Sequence, residues 1–322
     1  NVSRASRPRV HVAASGGTML SRRSALAALT ASAIVVPKAL RAADAPAAHA
    51  APPKTVKVAS IQASSELGDV ASNRKKLTAL CEEAARNGAK IIVLPETAIT
   101  GYLSQDLKTN WHCAGWPMDK AFPNGKDPGP FAETVPGPST DHFAALAKRL
   151  GTYITVPLLE VDKQNAQARY FNTVCLAAPS GKIVAHYRKL TPWPHPEQSW
   201  ATPGDLGVTP VDTEYGKVGL AICFDIHTIM EKYQPHNLWA LLYPIAWVDD
   251  EHPAEWFYHR LPARVAPFKH YLVGANWAVD RKQAWRGYGF STIIDPGGNV
   301  VATAKSLYAS EIVYAEIKTA NA

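Results

Sequence analysis

The sequence predicts a layered α/β domain, and three observations carry that expectation. From Val56 onward, apolar runs of strand length alternate with longer amphipathic stretches. Strand–helix alternation fills the first half, and short strands joined by turn residues become more frequent later. No sharp change of composition follows Lys54 and no short-period repeat occurs, so residues 55–322 read as one domain.

Each element has its own signal. "VKVASIQ" (56–62) has the period-two pattern of a strand. "NRKKLTALCEEAARNGA" reads as a helix with Leu77, Leu80, Cys81 and Ala84 on one stripe and Asn87-Gly88 at its end. "KIIVLPE" (90–96) is continuously apolar until its last residue, as in a strand covered on both faces. A helix follows near 139–150, then the strand "YITVPLLE". "YFNTVCLAAPSGKIVAHYRK" reads as two strands joined at Pro179-Ser180-Gly181. In the second half "KVGLAICF" is a strand with a helix after it, and "LWALLYPIAW" is another strand. A helix bearing Trp and Arg spans about 253–268, and "YLVGANWA", "GFSTIIDP", "NVVATAK" and "EIVYAEI" close the sheet region.

Composition excludes one class of partner. The formal charge of the 322 residues is +7. Residues 1–45 hold Arg4, Arg7, Arg9, Arg22, Arg23, Lys38 and Arg41 against Asp44 alone, so the rest of the chain is close to neutral. No basic stripe is left for a nucleic-acid backbone.

The first 45 residues read as targeting. A candidate initiator, Met19, precedes Arg22-Arg23, an apolar run from Ala25 to Val36, and the small-residue stretch Ala43-Asp44-Ala45. The run is too short to span a bilayer comfortably. The paired arginines resemble a Tat export signal, which implies a periplasmic or secreted bacterial protein with no stable membrane insertion after processing. A disordered basic tail is the alternative. Residues 1–18 lie upstream of the expected start, and residues 46–54 read as an Ala- and Pro-rich tether. Cys81, Cys113, Cys175 and Cys223 form no zinc spacing and no dense disulfide framework. Cys81 and Cys175 sit in apolar patterns and read as small core residues.

Three predicted strands end on residues unsuited to a strand end: Glu96, Lys189 and Cys223. In open α/β sheets the reactive cleft lies beyond the carboxyl ends of the strands, so the three can share one mouth. A buried thiol next to a base and a cation is an activated nucleophile. His227 is the rival base, four residues from Cys223, where one helical turn would point it elsewhere. Asp225 reads as a partner for local backbone. "EHPAEWFYHR", with Glu251, His252, Glu255 and His259, has helical spacing but lacks H-E-x-x-H, so neither metal nor cofactor is expected.

With these residues in view, the chain resembles the carbon–nitrogen hydrolases of the nitrilase superfamily. "LPETAITGY" looks like the family's general-base segment, and "YRKLTPWPHPEQSWATPG" is similar to the lysine segment of its aliphatic amidases. The latter carries a second glutamate, Glu197, eight residues past the lysine. "AICFDI" followed by "YPIAW" resembles the nucleophile segment of pantetheinase- and biotinidase-type members. The resemblance implies a four-layer α-β-β-α sandwich and a homodimer or higher homo-oligomer. It also implies a thioester mechanism on a small-molecule amide, with Glu96 as base and Cys223 as nucleophile. Lys189 and the Phe224 N–H would then serve the oxyanion, and Glu197 would position the lysine or the substrate nitrogen.

Tyr102, Trp193 and Trp247 lie close to the motifs and are candidates for the acyl pocket, with core packing as the alternative. Nitrilases proper place tryptophan where this chain has Phe224, and carbamoylases place basic residues after their cysteine. An amidase of non-peptide amides is therefore the expectation. A nitrilase, an N-carbamoyl amide hydrolase, an acyl transferase and a catalytically silent binding protein are the alternatives.

Overall fold

The computed structural model describes residues 53–103, 127–164, 167–194, 197–247, 253–278 and 289–322. All belong to one compact unit, Ala50–Ala322. Residues 1–45, read above as an export signal, and Cys113 lie outside the described residues. Pro53 and Lys54, read as the end of a tether, are bonded into the domain. Thr319 donates its N–H to the Lys54 carbonyl (3.0 Å) and its hydroxyl to that of Pro53 (2.7 Å).

Twelve strands among the described residues form two six-stranded sheets. The first contains β1 (Thr55–Gln62), β2 (Ile91–Val93), β3 (Tyr153–Asp162), β4 (Arg169–Ala177), β5 (Ile183–Arg188) and β12 (Glu311–Lys318), in the order β12-β1-β2-β3-β4-β5. The second contains β6 (Val211–Thr213), β7 (Gly216–Leu220), β8 (Ala240–Pro244), β9 (Tyr271–Ala275), β10 (Thr292–Ile294) and β11 (Val300–Thr303), in the order β11-β10-β9-β8-β7-β6. Each sheet holds three parallel neighbours, β1-β2-β3 and β7-β8-β9, flanked by antiparallel strands.

Side-chain alternation builds the layers. Val58, Ile91, Val93 and Val174 face the second sheet and share a core with Leu220, Leu242 and Val273. Their sequence neighbours Ala59, Ile92 and Cys175 point the other way. There they pack with Leu77 and Cys81 of α1 (Val70–Arg86) and Phe143 and Ala147 of α2 (Pro138–Leu150). A helical run from Pro253 to Phe268, with a π-helical turn at Trp256–Arg260, contributes Phe257, Leu261 and Val265 to the core around the second sheet. The architecture is an α-β-β-α sandwich.

One sequence expectation shifts, and two further features go beyond what the sequence predicted. The strand through "KVGLAIC" stops at Leu220, because Cys223 opens a turn of 3₁₀ helix, Cys223–His227. The last strand joins the first sheet by pairing antiparallel with β1 along its whole length, which closes that sheet with the chain's far end. Strand β6, in a polar stretch with little strand signal, forms through its pairing with β7. No helix among the described residues is long and apolar enough to cross a membrane.

Candidate active site

The carboxyl ends of β2, β5 and β7 supply Glu96, Lys189 and Cys223, the place where a sheet leaves loops free to carry chemistry. Glu96 sits three residues past β2 and is fully buried. The ends of the second sheet pin its backbone: its N–H donates to the Ile245 carbonyl (3.3 Å), and the Trp277 indole N–H donates to its own carbonyl (2.9 Å). The loop then turns tightly at Gly101, φ +87°, where a Cβ would lie 2.3 Å from the Leu67 Cα. That close approach accounts for the glycine of "LPETAITGY".

Lys189 directly follows β5. Its N–H donates to the Asn172 carbonyl (2.8 Å), extending the β4–β5 ladder by one residue. Its ammonium, fully buried, lies 2.7 Å from Glu96 Oε1 and 2.7 Å from Glu197 Oε2. Glu197 is held in turn by the Trp193 N–H, 2.6 Å from its Oε2. Sequence reasoning missed Asn172, whose Nδ2 donates to Glu96 Oε1 (2.7 Å) and to Glu197 Oε1 (2.8 Å). A lone amide inside the apolar run "YFNTVCLAA" was the available signal.

Cys223 has φ +39°, a left-handed conformation that non-glycine residues rarely adopt. The surrounding bonds hold it there. The Tyr243 hydroxyl donates to the Cys223 carbonyl (2.6 Å). Asp225 accepts from the Ile222 N–H (3.3 Å), the Thr191 N–H (2.8 Å) and the Tyr187 hydroxyl (2.7 Å), tying the cysteine turn to the lysine loop. Asp225 thus bonds local backbone, as the sequence suggested. The first two N–H groups of the turn, those of Cys223 and Phe224, have no acceptor within it.

Electrostatics separates the two carboxyls. Burial pushes Glu96 up to about 8, against the opposing pull of Lys189 and with Glu197 adding to the rise. Burial also acts to raise Glu197, but the Lys189 ammonium outweighs it and keeps Glu197 below the usual carboxylate range. Burial acts to lower Lys189, and the two glutamates more than reverse it, so the amine stays charged. The Cys223 thiol is pushed well up by burial and by Glu96, with Lys189 and the Ala246 N–H pulling the other way. The thiol is therefore protonated at rest and needs a proton acceptor to react.

A cavity of about 150 Å³ opens on Cys223, lined by Trp193, Phe224, Ala246 and Trp247. Trp247 is backed by Trp256, stacked at 3.8 Å between ring centroids and 4° between planes. Tyr102, the third pocket candidate, is instead packed in the interior at 2% exposure and is not among the lining residues. His227 is exposed, its ring set against Phe224, Trp247 and Trp256. The charges acting on the thiol are those of Glu96, Lys189 and Glu197. Cys81 and Cys175 are free and buried in the layer under α1 and α2. Glu251 and His252 lie outside the described residues. Glu255 pairs with Arg260 at 3.0 Å, and no cluster of three metal-ligating side chains occurs among the described residues.

A sandwich of this kind, with a thiol, an ammonium and two carboxylates meeting at its strand ends, defines a hydrolase of carbon–nitrogen bonds outside peptides. The comparisons agree. The carbon–nitrogen hydrolase family model matches residues 57–322, and the chain belongs to that family. It is 30% identical to the omega-amidase NIT2 of Pongo abelii, over 76% of this chain and 83% of that protein. Its fold is similar to that of Nit3 of Saccharomyces cerevisiae, a member of branch 10 of the nitrilase superfamily (TM-score 0.65, 24% identity, 82% of this chain and 90% of that one). An amidase from Nesterenkonia sp. is similar at TM-score 0.63 and 16% identity, over 82% and 90% of the two chains.

Proposed function

We propose that the protein is an exported thiol amidohydrolase that converts a small non-peptide amide into an acid and ammonia or an amine. The buried contact of Lys189 with both Glu96 and Glu197, beside a protonated Cys223, carries this reading. Glu96 is the proton carrier, because its carboxyl is displaced toward neutrality, while Glu197 stays anionic and balances the lysine.

As Sγ bonds to the amide carbon, Glu96 takes the thiol proton and the carbonyl π electrons move onto oxygen. Two of the three Lys189 N–H groups are engaged by carboxylates, which leaves one for the oxyanion beside the Phe224 N–H. Glu96 then returns the proton to nitrogen as the C–N bond breaks. Water attacks the thioester carbon, Glu96 takes its proton, the C–S bond breaks and the thiolate is reprotonated.

The aromatic wall supports an uncharged acyl group of a few heavy atoms, and the omega-amidase relative supports amide over nitrile. Turnover of amides, nitriles and carbamoyl amino acids by the purified protein tests the class, and nitrile turnover without amide turnover refutes it. An acyl adduct seen by intact mass and lost in Cys223→Ala separates an enzyme from a silent binding protein. The twin-arginine segment supports export. Replacing Arg22 and Arg23 with lysine should hold the full chain in the cytoplasmic fraction, and unchanged fractionation would reject that route.

A further inference from the structure

We infer that Asn172 is a positioning residue that fixes which oxygen of Glu96 handles the proton. The inference rests on the proposed role of Glu96 as base. Three observations carry it. Asn172 is 1% exposed and spends one amide nitrogen on two carboxylates, at 2.7 and 2.8 Å. Its orientation follows from chemistry, because an amide oxygen turned toward two carboxylate oxygens would place no proton between them. Finally, its own Oδ1 is buried with no partner among the described residues, so the side chain's hydrogen bonds run from Nδ2 to the two carboxylates.

The consequence falls on Glu96. Its Oε1 accepts from both Lys189 and Asn172, whereas its Oε2 is buried with no hydrogen-bond donor among the described residues. Two donors on one oxygen lock the carboxyl rotamer and leave the other oxygen as the open proton-accepting position. The Asn172 backbone acts in the same sense, since its carbonyl receives the Lys189 N–H. One residue of β4 thereby sets the lysine and both glutamates. The charged and titratable groups acting on or through this carboxyl are Lys189, Glu197, Cys223, the Tyr243 phenol and, through Lys189, Asp225.

Without the Nδ2 donors both carboxyls lose a hydrogen bond that favours the charged form, so the pair retains a proton to higher pH. The near-isosteric Asn172→Asp adds a third carboxyl, and Asn172→Ser leaves room for water. Two readouts as a function of pH are informative: kcat/KM on an amide, and the rate at which iodoacetamide alkylates Cys223, which needs no substrate. In Asn172→Asp the acid limb of both should move up by at least one pH unit, with at least a tenfold loss at pH 7 that alkaline pH partly restores. Asn172→Ser should shift less in the same direction. Melting curves and circular dichroism establish that each variant is folded.

A loss equal at every pH, with the limb unmoved in a folded variant, would overturn the inference and leave Asn172 a packing residue. Glu96→Gln separates the two readings. If it turns over like the wild type, Glu96 is not the base. If it is inactive while the Asn172→Asp limb stays in place, only the present inference fails.

Discussion

Glu96 and Lys189, 93 positions apart in the chain, meet at 2.7 Å with no exposed side-chain surface on either. The second carboxylate, Glu197, lies at the same distance from the ammonium, so one cation balances two potential anions in a dry site. Such a group tolerates loss of a member poorly, since an unpaired buried charge costs several kcal/mol.

Lys189→Met therefore should damage both fold and chemistry. Two buried carboxyls lose their counter-ion, and unfolding in urea should reveal a loss of about 3–5 kcal/mol. Turnover should fall by at least about 10³-fold with the oxyanion donor and the field on the thiol both gone. Adding Glu197→Gln should recover part of the stability and none of the rate.

Glu96 makes stability depend on pH with an unusual sign. Burial raises its folded value to about 8, above the roughly 4.3 of a free glutamate. Between these values the folded state holds a proton that the unfolded state has released. The contribution is complete below the unfolded value and lost as pH rises through the folded one. Urea midpoints should show this component falling from pH 5 to pH 8.5, and Glu96→Gln should remove it. Activity should move oppositely, rising as Glu96 ionises.

Glu160 behaves in the reverse sense. It accepts from the Thr173 hydroxyl (2.6 Å) and the Arg188 Nε (3.1 Å) and lies 2.8 Å from His186. Burial acts to raise it, but His186, Arg188 and Thr173 outweigh that and hold it low. Its contribution is present above the unfolded value and lost as pH falls through the folded one. Glu160→Gln should lower stability at pH 7 by about 1–3 kcal/mol and flatten the acid side of the stability profile, while kcat at saturating substrate changes less than tenfold.

Trp193 offers a separation of pocket from machinery. Its side chain lines the cavity, whereas its backbone N–H holds Glu197. Trp193→Ala should raise KM by about 10–100-fold, the loss of one large aromatic contact, with a smaller effect on kcat. Trp247→Ala should raise KM as well and also destabilise by about 2–4 kcal/mol, because it breaks the stack with Trp256. Steady-state kinetics and thermal unfolding distinguish the two.

Much of this molecule is legible in one dimension. Strand and helix periods locate nearly all of β1–β12 because side-chain alternation is a local property, and the exceptions are instructive. The strand before Cys223 is cut short by a turn that Tyr243, Tyr187 and Thr191 stabilise from other elements. Tyr102 is placed by neighbours that sequence proximity to a motif does not reveal. Asn172 gives only a faint signal, since a polar residue in a strand acquires meaning from what stands opposite it.

The amino-acid sequence by itself determined the layered α/β class, the three unusual strand ends at Glu96, Lys189 and Cys223, and the neutral balance of the domain, because each is written in residue type and spacing. Only the tertiary structure decided that one ammonium serves two carboxyls, that one of these is pushed toward neutrality while the other stays charged, and that an asparagine binds them together. Proton affinity in a buried cluster depends on distance and on exclusion of water, and neither exists until the sheets close on each other.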